Sequence, residues 1–182
     1  MIRWDEIDAL VAPHCKAEGP GCALGVFKHG KAIYLKGYGS KRVGENDPIG
    51  SRTVFQLASV SKQFTAFCVL LLRERGKLSL DDGLRKYMPE FGPRFDAVKI
   101  HHLIQHSGGM PSMPELRWTD LLAGTWSDSG QKHVRMLARQ PALNFEPGEA
   151  FCYSNDGYFL LGEIVRRCSG MSLARFADLN IF

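Results

Sequence analysis

Two short stretches carry residue types that could do chemistry together. The first is "QLASVSKQFTAFCVLLL", from Gln56 to Leu72, where Ser59 stands three residues before Lys62 at the head of a nearly unbroken apolar run. Residues three apart on a helix share a face, so the Lys62 amine can reach the Ser59 hydroxyl. The helix N-terminus adds partial positive charge and free N–H groups, which favour an alkoxide-like nucleophile. A helix apolar on nearly all sides belongs inside a protein. Burial lowers a lysine pKa, and a neutral amine is a general base at ordinary pH. On this segment alone a second reading stands equally well: Ser59 only caps the helix, and Lys62 extends to water.

The second stretch is "FCYSNDGYFLLG", in which Tyr153 and Asn155 sit two apart, just before a helix. In an extended segment such residues point to the same side. A phenol can pass a proton when a nearby cation lowers its pKa, and an amide can orient a lysine and a substrate carbonyl. Taken alone, the pair also reads as a turn with an aromatic anchor.

Other constellations carry less. Ser129 and Lys132 repeat the S-x-x-K spelling inside the polar "WSDSGQK", which reads as a loop with no apolar helix behind it. His101, His102 and His106 lie on a probable helix, but HExxH and an obvious third ligand are missing, so no metal is expected. There is no G-x-S-x-G, GxGxxG or GxxxxGK[ST], so neither an α/β-hydrolase nor a nucleotide cofactor has support, and no cofactor is expected. Asp81-Asp82 reads as turn and cap chemistry. Trp118 and Trp126 could line an acyl pocket or be ordinary partly buried aromatics.

The elements that would hold these residues follow from pattern. Residues 3–16 read as a helix with Trp4, Ile7, Leu10 and Val11 on one face. "CALGVFKHGKAIYLKGYGS" reads as a hairpin turning at His29-Gly30, and the glycines of its second strand suggest close approach of another backbone. Residues 60–75 form a central helix ended by Gly76. "LSLDDGLRKYMPEF" is a turn and a short helix, and "KIHHLIQHSGG" a helix stopped by Gly108 and Gly109. Residues 107–131 read as a long loop, and "KHVRMLARQ" as a helix. "GYFLLGEIVRRCSG" is an amphipathic helix ending at Gly170, and a last helix starts near Ser172. One hairpin and many helices leave the sheet short of strands, with edges that invite pairing.

The 182 residues fit one domain, and 45% hydrophobic with 23% charged residues describes a globular chain. A net charge of +4 without a dense basic tract argues against nucleic acid as a partner. No apolar run approaches a membrane span. "MIRWDEIDAL" is acidic and amphipathic, unlike a signal peptide, so a cytoplasmic location is expected of the chain as written, and an exported one if the true N-terminus differs. Five scattered cysteines without CxxC suggest reduced structural thiols, several of them buried.

Taken together, the two stretches resemble the serine β-lactamase and penicillin-binding-protein superfamily. The nearest branch is that of class C β-lactamases, D-alanyl-D-alanine carboxypeptidases and family VIII carboxylesterases. "FQLASVSKQFTAFCVLLLRERGKLSLDD" looks like its nucleophile helix and the turn after it. "HHLIQHSGGMPS" resembles its histidine-serine/threonine-glycine loop, and "LNFEPGEAFCYSNDGYFLLGEIVRRCSGMS" its proline-glycine, Tyr-x-Asn and following helix. The resemblance implies Ser59 as nucleophile, Lys62 and Tyr153 as the proton-transfer pair, and Asn155 as a polar substrate anchor. It implies an α+β, β-lactamase/transpeptidase-like fold in a single incomplete domain. Residues 1–52 would form the N-terminal helix and β-hairpin, and 53–182 the nucleophile helix and helical region. The family's third motif, Lys-Thr-Gly or His-x-Gly on a strand after the tyrosine, has no counterpart here. His106-Ser107-Gly108 spells it but precedes the tyrosine. Most of the central antiparallel sheet is therefore expected to be missing. Two functions follow: a serine hydrolase acting through an acyl-enzyme on a β-lactam, a short ester or a D-amino-acid peptide, or a truncated or split non-catalytic relative acting as a scaffold. Expected partners are a small-molecule substrate and either a second copy or a missing C-terminal half.

Overall fold

The computed structural model describes residues 3–16, 19–111 and 126–182, with side chains in the last segment from residue 130 onward. The chain divides into two compact units, Met1–Leu57 and Ala58–Phe182.

The first unit holds helix α1 (Trp4–Val11), extended by a 3-10 turn to His14, and a two-stranded antiparallel sheet of β1 (Cys22–Lys28) and β2 (Lys31–Tyr38). The strands turn at His29 and Gly30, both at positive φ, 50° and 73°. That is the conformation a tight two-residue hairpin requires. The register pairs Cys22 with Tyr38 and Val26 with Tyr34, with a bulge between Val26 and Phe27. Gly37 meets the expected second backbone: a Cβ there would lie 1.8 Å from the Ile49 carbonyl oxygen. The expected apolar face of α1 is partly covered: Trp4, Ile7 and Val11 are half-buried. None of its residues is buried, and Leu10 is 72% exposed. The helix is held instead by Trp4 stacked on Tyr34 at 4.8 Å, and by Asp8. The Asp8 carboxylate accepts from Tyr34 and Tyr38 at 2.7 and 2.6 Å and pairs with Lys36 at 2.7 Å. Lys36 first, then the two phenols, hold this carboxyl down at about 2.

The second unit is helical. A 3-10 turn over Ala58–Ser61 leads into α2 (Lys62–Glu74), followed by the short α3 (Leu84–Tyr87) and α4 (Ile100–Ile104). Then come α5 (Trp126–Ala138), α6 (Asn155–Ser169) and α7 (Leu173–Asn180). Helix α6 is the spine of the core. Its Leu160, Leu161, Ile164 and Val165 are fully buried in one cluster with Cys68, Val69 and Leu72 of α2, Leu103 of α4, Val134 and Leu137 of α5, and Phe176 of α7. Phe91 and Phe95 close the cluster edge to face, ring centres 4.9 Å apart. The ends of the helices follow local chemistry. Ser154 caps α6 by accepting from the Gly157 N–H at 2.9 Å, Gly170 ends it at φ 73°, and Ser172 caps α7.

Three expectations are revised in this unit. Helix α2 is not buried on all sides: Thr65, Cys68, Val69 and Leu72 are buried, whereas Phe67 is 47% exposed. Helix α4 ends before the glycines, because His106 already turns left-handed at φ 58°. Helix α5 starts at Trp126, so residues 126–131 are helical rather than loop and the Ser129/Lys132 pair lies on a helix. Its first residues, Ser-Asp-Ser-Gly after Trp126, have weak helix propensity, and the packing of Val134 and Leu137 overrides it. The expectation for Trp118 lies outside the described residues. Of the five thiols, Cys68 is buried, three are partly so, and Cys152 is exposed.

Candidate active site

Ser59 sits in the 3-10 turn rather than on α2 itself. The preceding residue, Ala58, has a φ of 45°, which is sterically unfavourable for a side chain bearing a Cβ. The turn is tied by Ser61, whose hydroxyl donates to the Ala58 carbonyl at 2.6 Å. Backbone held in such a sparsely populated region clusters at functional sites. One residue after the turn, Lys62 opens α2 and its side chain reaches back.

From the far end of the unit, the segment before α6 brings Tyr153 and Asn155. The Tyr153 hydroxyl donates to Ser59 Oγ at 2.5 Å. Lys62 Nζ donates to Asn155 Oδ1 at 2.7 Å and to Ser59 Oγ at 3.3 Å. All four residues read from the sequence thus meet at one point, across 93 and 94 positions of chain. Asn155 gets there as the first residue of α6 rather than from an extended segment, because the Ser154 cap starts the helix immediately before it.

The burial expected of Lys62 is not found: it is half-buried within this unit. Tyr153 is 45% exposed. The hydrogen bond from Lys62, then that with Ser59, holds its phenol below the ordinary tyrosine range. Nζ also lies 4.8 Å from the centre of the Tyr153 ring and 5.6 Å from that of Tyr158. A serine oxygen flanked by a phenol that ionises readily and by an amine can lose its proton to the phenolate or to the neutral amine and attack a carbonyl carbon.

Two residues of the site were not anticipated in these roles. Tyr158, one turn along α6, packs beside Lys62 and donates its hydroxyl to the Ile104 carbonyl at 3.0 Å. Its signal was the i+3 spacing from Asn155. His106 stacks on Tyr153 with ring centres 4.6 Å apart. The two histidines of α4 bond locally. His101 Nδ1 lies 3.1 Å from the Leu80 carbonyl, and His102 Nδ1 accepts from the Lys99 N–H at 3.2 Å. Asp82 caps its turn by accepting from the Ser79 N–H at 2.8 Å. Among the described residues no group of three His, Cys, Asp or Glu is placed to hold a metal ion, and no helix is long and apolar enough to cross a membrane.

Comparison with known proteins agrees with this geometry. A penicillin-binding protein of Bacillus subtilis (strain 168) is 35% identical over 158 residues, covering 84% of this chain and 34% of that protein. A putative D-alanyl-D-alanine carboxypeptidase of Escherichia coli (strain K12) is 28% identical over 195 residues, covering 99% of this chain and 45% of that protein. The solved structure of the octameric penicillin-binding protein homologue from Pyrococcus abyssi superposes with a TM-score of 0.82 at 29% identity, over 99% of this chain and 42% of that one. The chain thus spans between a third and a half of the length of these relatives, in keeping with a truncated β-lactamase-like fold. The β-lactamase family profile matches residues 7–182, and the chain belongs to that family, whose members are serine hydrolases.

Proposed function

We propose that this chain supplies the nucleophile and the proton-transfer pair of an enzyme that acylates Ser59. The observation that carries the reading is Ser59 Oγ held between the Tyr153 hydroxyl at 2.5 Å and Lys62 Nζ at 3.3 Å. Tyr153, once ionised to the phenolate that Lys62 favours, takes the Ser59 proton; in the second route the geometry allows, Lys62 takes it directly as the neutral amine. Oγ then bonds to the substrate carbonyl carbon. As the tetrahedral adduct collapses, the bond to the leaving nitrogen or oxygen breaks and Tyr153 returns the proton to it. Water releases the acyl group by the reverse sequence. Asn155 holds Lys62 in place and offers its amide N–H to the substrate.

The substrate is a small acyl donor: a D-amino-acid peptide, a β-lactam or a short ester. The names of the curated relatives, a penicillin-binding protein and a D-alanyl-D-alanine carboxypeptidase, favour the first two. The Pyrococcus homologue is octameric, and self-association is proposed here too, supported by exposed Phe67 and Phe151. The test is to incubate the full-length protein with a labelled penicillin and a fluorophosphonate and to map the adduct. One covalent mass on Ser59 supports the reading. A label elsewhere sinks the Ser59 assignment, and a folded protein that takes none favours the non-catalytic relative.

A further inference from the structure

The loop from His106 to Gly109 runs beside the segment that ends in Tyr153. The Asn144 N–H donates to the Gly109 carbonyl at 2.8 Å and the Gly148 N–H to the Ser107 carbonyl at 2.8 Å. A Cβ on Gly109 would lie 2.1 Å from the Phe145 carbonyl oxygen, so the two chains are in direct contact. His106 completes this lacing at the tyrosine. Its carbonyl accepts from the Cys152 N–H at 2.9 Å, and its Nδ1 accepts from the Ser154 N–H at 3.0 Å. Its ring lies 30° from parallel to the Tyr153 ring at 4.6 Å, with Tyr158 at 5.0 Å on the same side chain. The left-handed backbone at His106 aims carbonyl and imidazole at the same strand of chain.

We propose that His106 is a positioning residue for Tyr153: it brackets the tyrosine by binding the backbone N–H on either side of it and stacks on its ring, fixing the phenol over Ser59. The proposal rests on the acyl-enzyme reading for its kinetic consequence but not for its geometric one. It requires Nδ1 to be the acceptor, and therefore an unprotonated ring carrying its hydrogen on Nε2. The surroundings agree: burial first, and Lys62 second, hold this imidazole below the ordinary histidine range. Ser154 is buried, so its N–H would otherwise lack water as a substitute partner. The proposed role is distinct from metal binding or proton transfer, since His106 touches neither Ser59 nor a second histidine in any contact described.

The test uses the full-length protein and two variants. Asn places an oxygen where Nδ1 stands and tolerates a left-handed backbone; Gln carries its amide one carbon too far. The readout is the ultraviolet titration of Tyr153, isolated by subtracting the same protein with Tyr153→Phe. In the parent and in His106→Asn the phenol titrates below the ordinary value of about 10. In His106→Gln it moves back towards that value, and labelling of Ser59 slows by about 10²-fold, the scale of a 1 Å misplacement. A folded His106→Gln with an unchanged phenol, or a folded His106→Asn that has lost the shift, overturns the proposal. So does a 15N imidazole shift in the parent that puts the hydrogen on Nδ1, a measurement that needs no variant. If Ser59 takes no label in the parent, the acyl-enzyme reading falls, while the phenol titration still decides the role of His106.

Discussion

Tyr153 and Lys62 both contact one oxygen atom, and that geometry makes their contributions inseparable. Consider Tyr153→Phe and Lys62→Met in the full-length protein, singly and together. Each removes one of the two partners of Ser59 Oγ. Loss of a general acid/base lowers rate by about 10²–10⁴-fold. Independent effects would multiply to about 10⁴–10⁸-fold. At about 1.4 kcal/mol per tenfold, that is roughly 5–11 kcal/mol of barrier. The distances argue against independence. The short contact to Oγ is the phenol, at 2.5 Å, whereas Nζ gives its shorter bond, 2.7 Å, to Asn155 and lies 3.3 Å from Oγ. On the proposed reading Lys62 therefore acts largely by acidifying Tyr153, and once the phenol is gone there is little left for it to do. Tyr153→Phe should be the slower single variant, and the double variant should match it within about threefold. The coupling energy is then nearly the whole Lys62 effect, about 3–5 kcal/mol. The assay is the second-order rate of adduct formation on the Ser59 peptide, followed by mass spectrometry with circular dichroism as the fold control. Multiplicative rates would show two separate proton routes and refute the relay.

Three structural predictions accompany it. Leu161→Ala should cost about 2–5 kcal/mol in denaturant unfolding, because Leu161 is fully buried in the central cluster; a loss below 1 kcal/mol would mean that the core has room to collapse. Gly37→Ala should destabilise the first unit, since the new methyl would meet the Ile49 carbonyl; hydrogen exchange of the hairpin amides should rise, and unchanged protection would contradict the close approach. Burial raises the Asp82 carboxyl, but bonds from Tyr87, Lys86 and the Ser79 N–H outweigh it and hold it at about 2. A depressed pKa stabilises above the ordinary value of about 3.9. That stability is lost as pH falls from about 4 towards 2. Asp82→Asn should therefore lack this part of the acid slope in urea midpoints taken between pH 5 and 2, and parallel slopes would reject it.

What was legible in the sequence was local. Helix α6 could be read because Leu160, Leu161, Ile164 and Val165 recur at helical spacing and Gly170 supplies the left-handed end. The hairpin could be read because His29-Gly30 interrupts two apolar runs. That Ser59, Lys62, Tyr153 and Asn155 would meet was legible because the two stretches together resemble a known family. Decisions made by distant chain were not legible. The start of α5 depends on packing that its own Ser-Asp-Ser-Gly stretch does not announce. The end of α4 depends on His106, which leaves the helix to bind the segment around Tyr153, 48 residues away from its Ser154 partner. Helix α1 looked amphipathic, but a single carboxylate with three donors anchors it.

On the proposed reading the proton chemistry is tuned at the phenol. From sequence, a lysine heading an apolar run implied tuning by burial. In the folded unit Lys62 is half-buried, and on the proposed reading it acts on the phenol beside it. This arrangement is less demanding on the core. A buried lysine must be desolvated, at a cost of several kcal/mol in a protein interior. A half-buried one need only stand within hydrogen-bond reach of the group it acidifies. The demand moves to precision: the phenol must stay within hydrogen-bond reach of Ser59, 2.5 Å here, with the Lys62 amine 4.8 Å from the centre of its ring. Ala58 at positive φ, the Ser61 tie and the His106 bracket are the features that hold the two sides of that contact, one at each end of the unit. On the proposed reading, rigidity around Tyr153 is thus the property on which the site's chemistry depends.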